Sequence, residues 1–144
     1  MAADRTAHVT WSGSLMDGSG TITSVGSGAF GPLDVTWASR TEVSGGRTSP
    51  EELIAAAHAA CFSMAFSHAL AEGGTPPEKL DGDATVTFVP GTGITKSALV
   101  VRGTVPALDE AAFVELAEDA KKNCPVSKAL AAVPEITLEA SLAS

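Results

Sequence analysis

The chain changes its pattern of apolar and polar positions near residue 49, from short runs divided by glycines to long helical periods. Glycine-rich turns at 17–20 and 45–46 divide the first part of the chain. Alternating or β-branched runs predict six strands, at 8–11, 21–23, 33–42, 84–88, 94–105 and 135–142.

The strongest helix signal begins at Ser49. Serine suits the N-cap, Pro50 suits the first helical position, and Glu52, three residues after Ser49, completes a capping box. The helix should run to about Glu72, because Gly73 and Gly74 then interrupt it.

Two further helices are predicted in the last third of the chain. Asp109 and Glu110 precede a helix over 111–122 that has lysines at its end, which suits the helix dipole. A short helix should begin at Pro125, with Asn123 or Cys124 near its cap. The order βββ-α-ββ-α-α-β predicts one α+β domain over residues 1–144, with antiparallel sheets and a buried central helix.

The central helix is nearly apolar on all sides from Ile54 to Leu70. Residues 53–70 lack Asp, Glu, Lys and Arg, and they come close to the length that spans a bilayer. The stretch is rich in alanine and contains His58 and His68, so a buried helix is the better interpretation. One small sheet can cover only one side of it, which predicts an obligate homodimer.

Composition narrows the possible functions. The 144 residues contain 9 Lys and Arg against 17 Asp and Glu, a net charge of −8, which argues against nucleic acid or an anionic membrane as a partner. Two cysteines exclude a disulfide-rich scaffold and a four-thiolate zinc module. The polar start lacks the apolar run of a secretory signal, so we expect a cytoplasmic protein with free thiols.

The two cysteines, Cys61 and Cys124, are the candidate reactive groups. Cys61 lies inside the central helix, where it either fills the core as a small apolar residue or acts as a nucleophile. Burial should raise its pKa, so a nucleophilic role needs a nearby cation. Cys124 precedes a proline that can open a helix, a position that favours the thiolate.

Arg40 and Arg47 are the arginines near this helix in the sequence, and Glu51 could hold one of them through a two-point ion pair. Alternatively, Glu51 only complements the helix dipole and Arg47 is a solvated loop charge. His58, three residues before Cys61, is either a base for that thiol or a hydrogen-bonded core histidine.

A zinc site built from His58, Cys61, His68 and Cys124 is a weak alternative. The two histidines are ten residues apart, about 80° from alignment on a helix.

Two segments carry a family resemblance, 48–67 (TSPEELIAAAHAACFSMAFS) and 123–130 (NCPVSKAL). They resemble the OsmC/Ohr family of osmotically inducible and organic-hydroperoxide-resistance proteins, and the likeness extends over essentially the whole chain. The amino-acid sequence around Cys61 resembles the OsmC branch more than the Ohr branch. Ohr proteins usually have their active-site arginine in the N-terminal strands, whereas OsmC-like proteins have it on the strand before the helix, here Arg40.

The resemblance implies an intertwined homodimer that reduces organic hydroperoxides without metal, haem or flavin. It implies that Cys61 attacks the peroxide, Cys124 resolves the sulfenic acid as a disulfide, Arg40 acts on the thiolate and Glu51 anchors Arg40. An external dithiol would recycle the disulfide, with a lipoyl dithiol, on a lipoylated protein, as a candidate.

Two other classes of function stay open. The same thiols would serve a non-enzymatic redox sensor or a small-ligand-binding stress protein, and a metal-binding structural dimer is a further alternative. Phe62, Met64 and Phe66 suit either a pocket for bulky hydroperoxides or ordinary core packing.

Overall fold

The computed structural model describes residues 1–143. The chain divides into two compact units, residues 1–53 and a second unit that begins at Ile54. The boundary falls inside the long second helix. The single domain over 1–144 that the sequence suggests stays a prediction.

The first unit contains an antiparallel three-stranded sheet and a short helix. The sheet order is β1-β2-β3. The close pairing of β1 with β2 depends on Gly20, where a Cβ atom would lie 2.6 Å from the Trp11 ring. The elements are β1 (Ala7–Ser12), β2 (Ser19–Val25), β3 (Leu33–Val35) and α1 (Trp37–Thr41).

The predicted strand at 33–42 is wrong after residue 35. Thr36 and Ser39 form a reciprocal capping box: the Ser39 amide donates to the Thr36 hydroxyl, and the Thr36 amide donates to the Ser39 hydroxyl. This local bonding turns the chain into α1. The apolar alternation did not predict this end of the strand, because the helix start depends on two hydroxyl groups three residues apart.

The long helix α2 (Pro50–Glu72) has the predicted bounds. The Glu52 amide donates to the Ser49 hydroxyl at 3.1 Å, which is one half of the predicted capping box. The Glu52 carboxylate accepts from the Thr48 hydroxyl at 2.7 Å.

One stripe of α2 is buried, formed by His58, Phe62, Phe66 and Leu70 at intervals of four residues. By length and composition α2 is the one helix within residues 1–143 that could cross a membrane, a test that the core helix of a soluble protein also passes. The face opposite the buried stripe is exposed and mainly apolar: Ala56, Ala57, Ala60, Met64, His68 and Ala71.

The second unit contains a mixed sheet of order β4-β5-β6. The strands are β4 (Lys79–Val89), β5 (Gly93–Thr104) and β6 (Glu135–Leu142). β4 pairs with β5 antiparallel, but β6 pairs with β5 in parallel, so the expectation of antiparallel sheets fails for this pair. The chain segment between parallel neighbours must cross over, and α3 (Glu110–Asn123) and α4 (Pro125–Ala129) occupy that crossover.

The core of the second unit lies between α2, α3 and β5. Phe66 and Phe113 lie at a ring-centroid distance of 4.9 Å, and a Cβ atom at Gly103 would come within 2.6 Å of the Phe113 ring. Asp109 caps α3 through the Ala112 amide at 2.8 Å, as its sequence predicts. The α+β class is confirmed.

Candidate active site

The first candidate group is an ion pair in the first unit. Arg40 lies in the last turn of α1 and Glu51 in the first turn of α2. Arg40 Nε lies 3.0 and 3.1 Å from the two carboxylate oxygens of Glu51, and Nη2 lies 2.7 Å from Oε1. The Glu51 side chain is 7% exposed and the Arg40 side chain 29%, so the pair has one buried and one accessible end.

The position of Arg40 corrects one expectation. It lies on the short helix α1, not on a strand, because the Thr36–Ser39 capping box ends the strand first. Glu51 is not only a partner for the helix dipole, since it binds the guanidinium through both oxygens. For Arg47, no such side-chain pairing to Glu51 is found within residues 1–143, and it lies in the exposed turn after Ser44.

An apolar cavity of about 170 Å³ lies beside Arg40 in the first unit. The guanidinium of Arg40 lies 5.8 Å from the centre of the Trp37 ring, within the range of a cation–π contact. The cavity is lined by Trp11, Leu15, Val35, Thr36, Trp37, Arg40 and Pro50.

Of the two interpretations of Phe62, Met64 and Phe66, core packing holds for the two phenylalanines. Phe62 and Phe66 are core residues at 1% and 0% exposure, and Met64 is exposed on the other side of α2. The two tryptophans were missed, although Trp37 lies only three residues before Arg40 on one helical turn.

The second candidate group is the cysteine pair in the second unit. Cys61 lies mid-way along α2 and is partly exposed, whereas Cys124 is fully buried at the N-cap of α4. Both are free thiols, and each is among the groups that shift the pKa of the other, so the two side chains are neighbours. The structure thus brings together two residues that are 63 positions apart in the sequence.

The two thiols have opposite pKa shifts. Burial raises the pKa of Cys61; the Val126 amide opposes this shift and the neighbouring Cys124 adds to it. Burial also acts against ionisation of Cys124, but hydrogen bonds from the Ser127 amide, the Cys61 thiol and the Ser127 hydroxyl outweigh it and lower its pKa. Both directions agree with the sequence-based expectation.

This pair can share one proton. Cys124 is the better thiolate but is sealed from solvent, and Cys61 is the thiol that a dissolved reagent can reach. The opposite pKa shifts place the shared proton on Cys61, so this thiol needs further stabilisation of its charge before it becomes an accessible nucleophile on α2.

His58 is a core histidine with both ring nitrogens occupied. Nδ1 lies 2.7 Å from the Ser97 hydroxyl and Nε2 lies 2.8 Å from the Ser127 hydroxyl, and the ring has no exposed surface. Burial lowers its pKa. His58 therefore does not serve as a base for Cys61, which was one of the two sequence-based interpretations.

The zinc alternative finds no support. Within residues 1–143, no three His, Cys, Asp or Glu side chains converge in a way that could hold a metal ion. His58 bonds to two serines, and His68 is exposed on α2.

The comparisons with known proteins decide the family. The family model described as OsmC-like protein matches residues 43–139, which is more than half of the chain. The chain belongs to the OsmC-like family. The resemblance seen in the sequence is confirmed.

The family assignment has support over the full length. The chain is 41% identical over 147 residues to the protein named peroxiredoxin OsmC of Escherichia coli (strain K12), with all of both chains covered. A protein of the same name from Shigella flexneri matches equally.

Solved structures of the family share the fold. The organic hydroperoxide resistance protein OhrB of Bacillus subtilis is 28% identical at a TM-score of 0.65, with 96% of this chain and 98% of that chain covered. An organic hydroperoxide resistance protein from Elizabethkingia anophelis is 22% identical at a TM-score of 0.70, covering 99% and 100%.

Proposed function

We propose that this OsmC-like protein is a thiol-dependent peroxidase that reduces organic hydroperoxides to alcohols. The relatives support the general class, because two are named peroxiredoxins and OhrB is named for organic hydroperoxide resistance. The contact between a partly exposed and a buried free thiol is the single observation that carries the proposal.

Cys61 is the peroxide-attacking thiol and Cys124 the resolving thiol in this proposal. The assignment follows accessibility rather than acidity, since a peroxide can meet Cys61 while Cys124 has no exposed surface. Arg40 stabilises the charge on the attacked peroxide and on the Cys61 thiolate, either in its own chain or in a second copy, and Glu51 orients Arg40.

The reaction has three balanced steps. The Cys61 thiolate attacks one peroxide oxygen, the O–O bond breaks, the alkoxide leaves with a proton as the alcohol, and Cys61 becomes a sulfenic acid. The Cys124 thiol displaces water from that sulfenic acid and forms the Cys61–Cys124 disulfide. An external dithiol then reduces the disulfide by exchange and becomes a disulfide itself.

The organic group of the substrate suits the cavity beside Arg40. Its walls include Trp11, Leu15, Val35 and Trp37, which are apolar surfaces, and Arg40 supplies the one charge among the lining residues. We therefore propose that the peroxide end of the substrate lies towards the guanidinium and its apolar end against the tryptophans.

The active form is proposed to be a homodimer. Ala56, Ala60 and Met64 leave one face of α2 exposed and apolar, with Met64 at 74% exposure, although the opposite face is buried. A second copy of the same helix is the partner whose apolar face matches in extent. A dithiol reductant, with a lipoyl group as a candidate, and a cytoplasmic location complete the proposal.

Peroxide consumption by the reduced protein tests this function. With cumene hydroperoxide and excess dithiol, we expect many equivalents to be consumed, no turnover in Cys61→Ser, and a single oxidation in Cys124→Ser that dimedone traps as a sulfenic acid. Consumption of about one equivalent by the wild-type protein would instead indicate a redox sensor. Trapping on Cys124 in the Cys61→Ser variant would reverse the two roles.

A further inference from the structure

A row of buried polar groups leads from β5 to the Cys124 sulfur. Ser97 on β5 bonds to Nδ1 of His58, and Nε2 of His58 bonds to Ser127, which lies on α4 three residues after the N-cap residue Cys124. The Ser127 side chain is also among the hydrogen-bonding groups that lower the pKa of Cys124. Ser97 and His58 have no exposed surface, and Ser127 is 8% exposed. Placing three polar side chains in an apolar core costs free energy unless each bond is made.

The bonds in this row depend on one another. A neutral imidazole donates from one nitrogen and accepts at the other, so only one of its two faces can donate. If Nε2 carries the proton, it donates to the Ser127 oxygen and leaves the Ser127 hydroxyl hydrogen for the sulfur. If Nδ1 carries it, Ser127 must donate to Nε2, and its hydrogen is lost to Cys124.

We propose that His58 is a positioning residue for Cys124: Ser97 donates to Nδ1 and so holds the proton on Nε2, which turns the Ser127 hydroxyl towards the Cys124 sulfur. All the bonds in the row then point the same way and strengthen one another. This inference rests on the proposed function only for the consequence that Cys124, held more fully as the thiolate, resolves the sulfenic acid faster.

Burial fits this role. The imidazole must be neutral. A protonated ring would donate from Nδ1 to Ser97, so Ser97 could no longer donate to Nδ1. Desolvation keeps the ring neutral by lowering its pKa. Every buried side-chain nitrogen or oxygen within residues 1–143 has a hydrogen-bond partner, so no competing acceptor is left unpaired beside the ring.

The first test is the tautomer of His58 in the unsubstituted, reduced protein. We expect nitrogen NMR of histidine-labelled protein at pH 8 to find Nε2 protonated and Nδ1 bare. A protonated Nδ1 would overturn the inference, and this result needs no variant and no peroxide.

The second test titrates Cys124 alone, by absorbance at 240 nm in a Cys61→Ser background. Ser97→Ala should move the titration midpoint of the Cys124 thiol to higher pH, although Ser97 does not contact the sulfur. Ser97→Thr keeps the hydroxyl group and should restore the wild-type midpoint. Ser127→Ala should move it in the same direction. The charged residues of α3 and α4 are the same in every variant: Glu110, Glu115, Glu118, Asp119, Lys121, Lys122 and Lys128.

The outcomes separate this inference from the peroxidase proposal. A midpoint that moves with Ser127→Ala but not with Ser97→Ala would overturn the role of His58, whatever the peroxide assays find. In the active protein, Ser97→Ala should slow conversion of the sulfenic acid to the disulfide by roughly tenfold, the value of one hydrogen bond to a charged group. The rate of sulfenic acid formation should change much less, and an equal loss in both rates would indicate a merely structural defect.

Discussion

Arg40 binds Glu51 through two nitrogens across the turn that joins α1 to α2. The carboxylate is buried, so the guanidinium is its main source of compensating charge, and the two-nitrogen geometry fixes the plane of the guanidinium. The accessible side of Arg40 thereby lies beside the cavity.

Arg40→Lys should lower kcat/KM for cumene hydroperoxide by about ten- to a hundredfold, because lysine keeps the charge but loses the planar two-nitrogen contact. Glu51→Gln should have a similar effect, since Arg40 loses its charged anchor. Steady-state peroxidase assays measure both variants. Arg47→Lys is the matched control, and a loss in that variant as large as in Arg40→Lys would contradict the assignment.

Leu15→Trp should fill much of the cavity and raise KM for cumene hydroperoxide several-fold, with a smaller effect on the more compact tert-butyl hydroperoxide. The neighbouring Met16→Trp is the control, because Met16 is exposed and does not line the cavity. If both variants changed KM for the two substrates equally, the cavity would not be the substrate pocket.

Met64→Glu should dissociate the proposed dimer, because it places a charge on the exposed apolar face of α2. Sedimentation at micromolar concentration should find the mass of two chains for the wild-type protein and of one chain for the variant. Val114→Glu, at an exposed position of α3, should leave the mass unchanged. A monomeric wild-type protein would refute the dimer directly.

His58 should make stability depend on pH in mildly acidic solution. Burial lowers its pKa from the ordinary value of 6.5, so below that pH the unfolded chain takes up a proton that the folded chain does not. The free energy of unfolding should therefore fall by up to about 1.4 kcal/mol per pH unit as the pH drops below 6.5.

The measurement is denaturant unfolding between pH 7.5 and 5.5. The slope should be smaller in His58→Gln, and His68→Gln, which removes an exposed histidine from the same helix, should keep the wild-type slope. Equal slopes in the wild-type protein and His58→Gln would mean that other groups account for the pH dependence.

Much of the fold could be predicted because its signals are local. Ser49 and Pro50 identify the start of α2, Asp109 identifies the start of α3, and Cys124 with Pro125 identifies the start of α4. The wrong strand prediction at 36–42 also has a local cause, since the two hydroxyl groups that start α1 lie inside an apolar alternation.

The site was only partly predictable, because its contacts are distant in sequence. The partners of His58 lie 39 and 69 residues away, and no periodicity indicates which serine meets which ring nitrogen. The parallel pairing of β6 with β5 is equally invisible in a single alternating segment. Proximity in the sequence left Arg40 and Arg47 as possible partners of Glu51, and the family resemblance pointed to Arg40, which lies eleven residues before Glu51.

The crossover between β5 and β6 gives oxidation a mechanical effect. A bond between Cys61 and Cys124 would tie this crossover to the central helix and close a loop of about 63 residues. In the chain-entropy treatment, such a staple disfavours the unfolded ensemble by about 4 kcal/mol. In the proposed catalytic cycle, the protein would then alternate between a less stable reduced form and a more heat-resistant oxidised form. Exposure to peroxide would therefore raise the thermal stability of the protein.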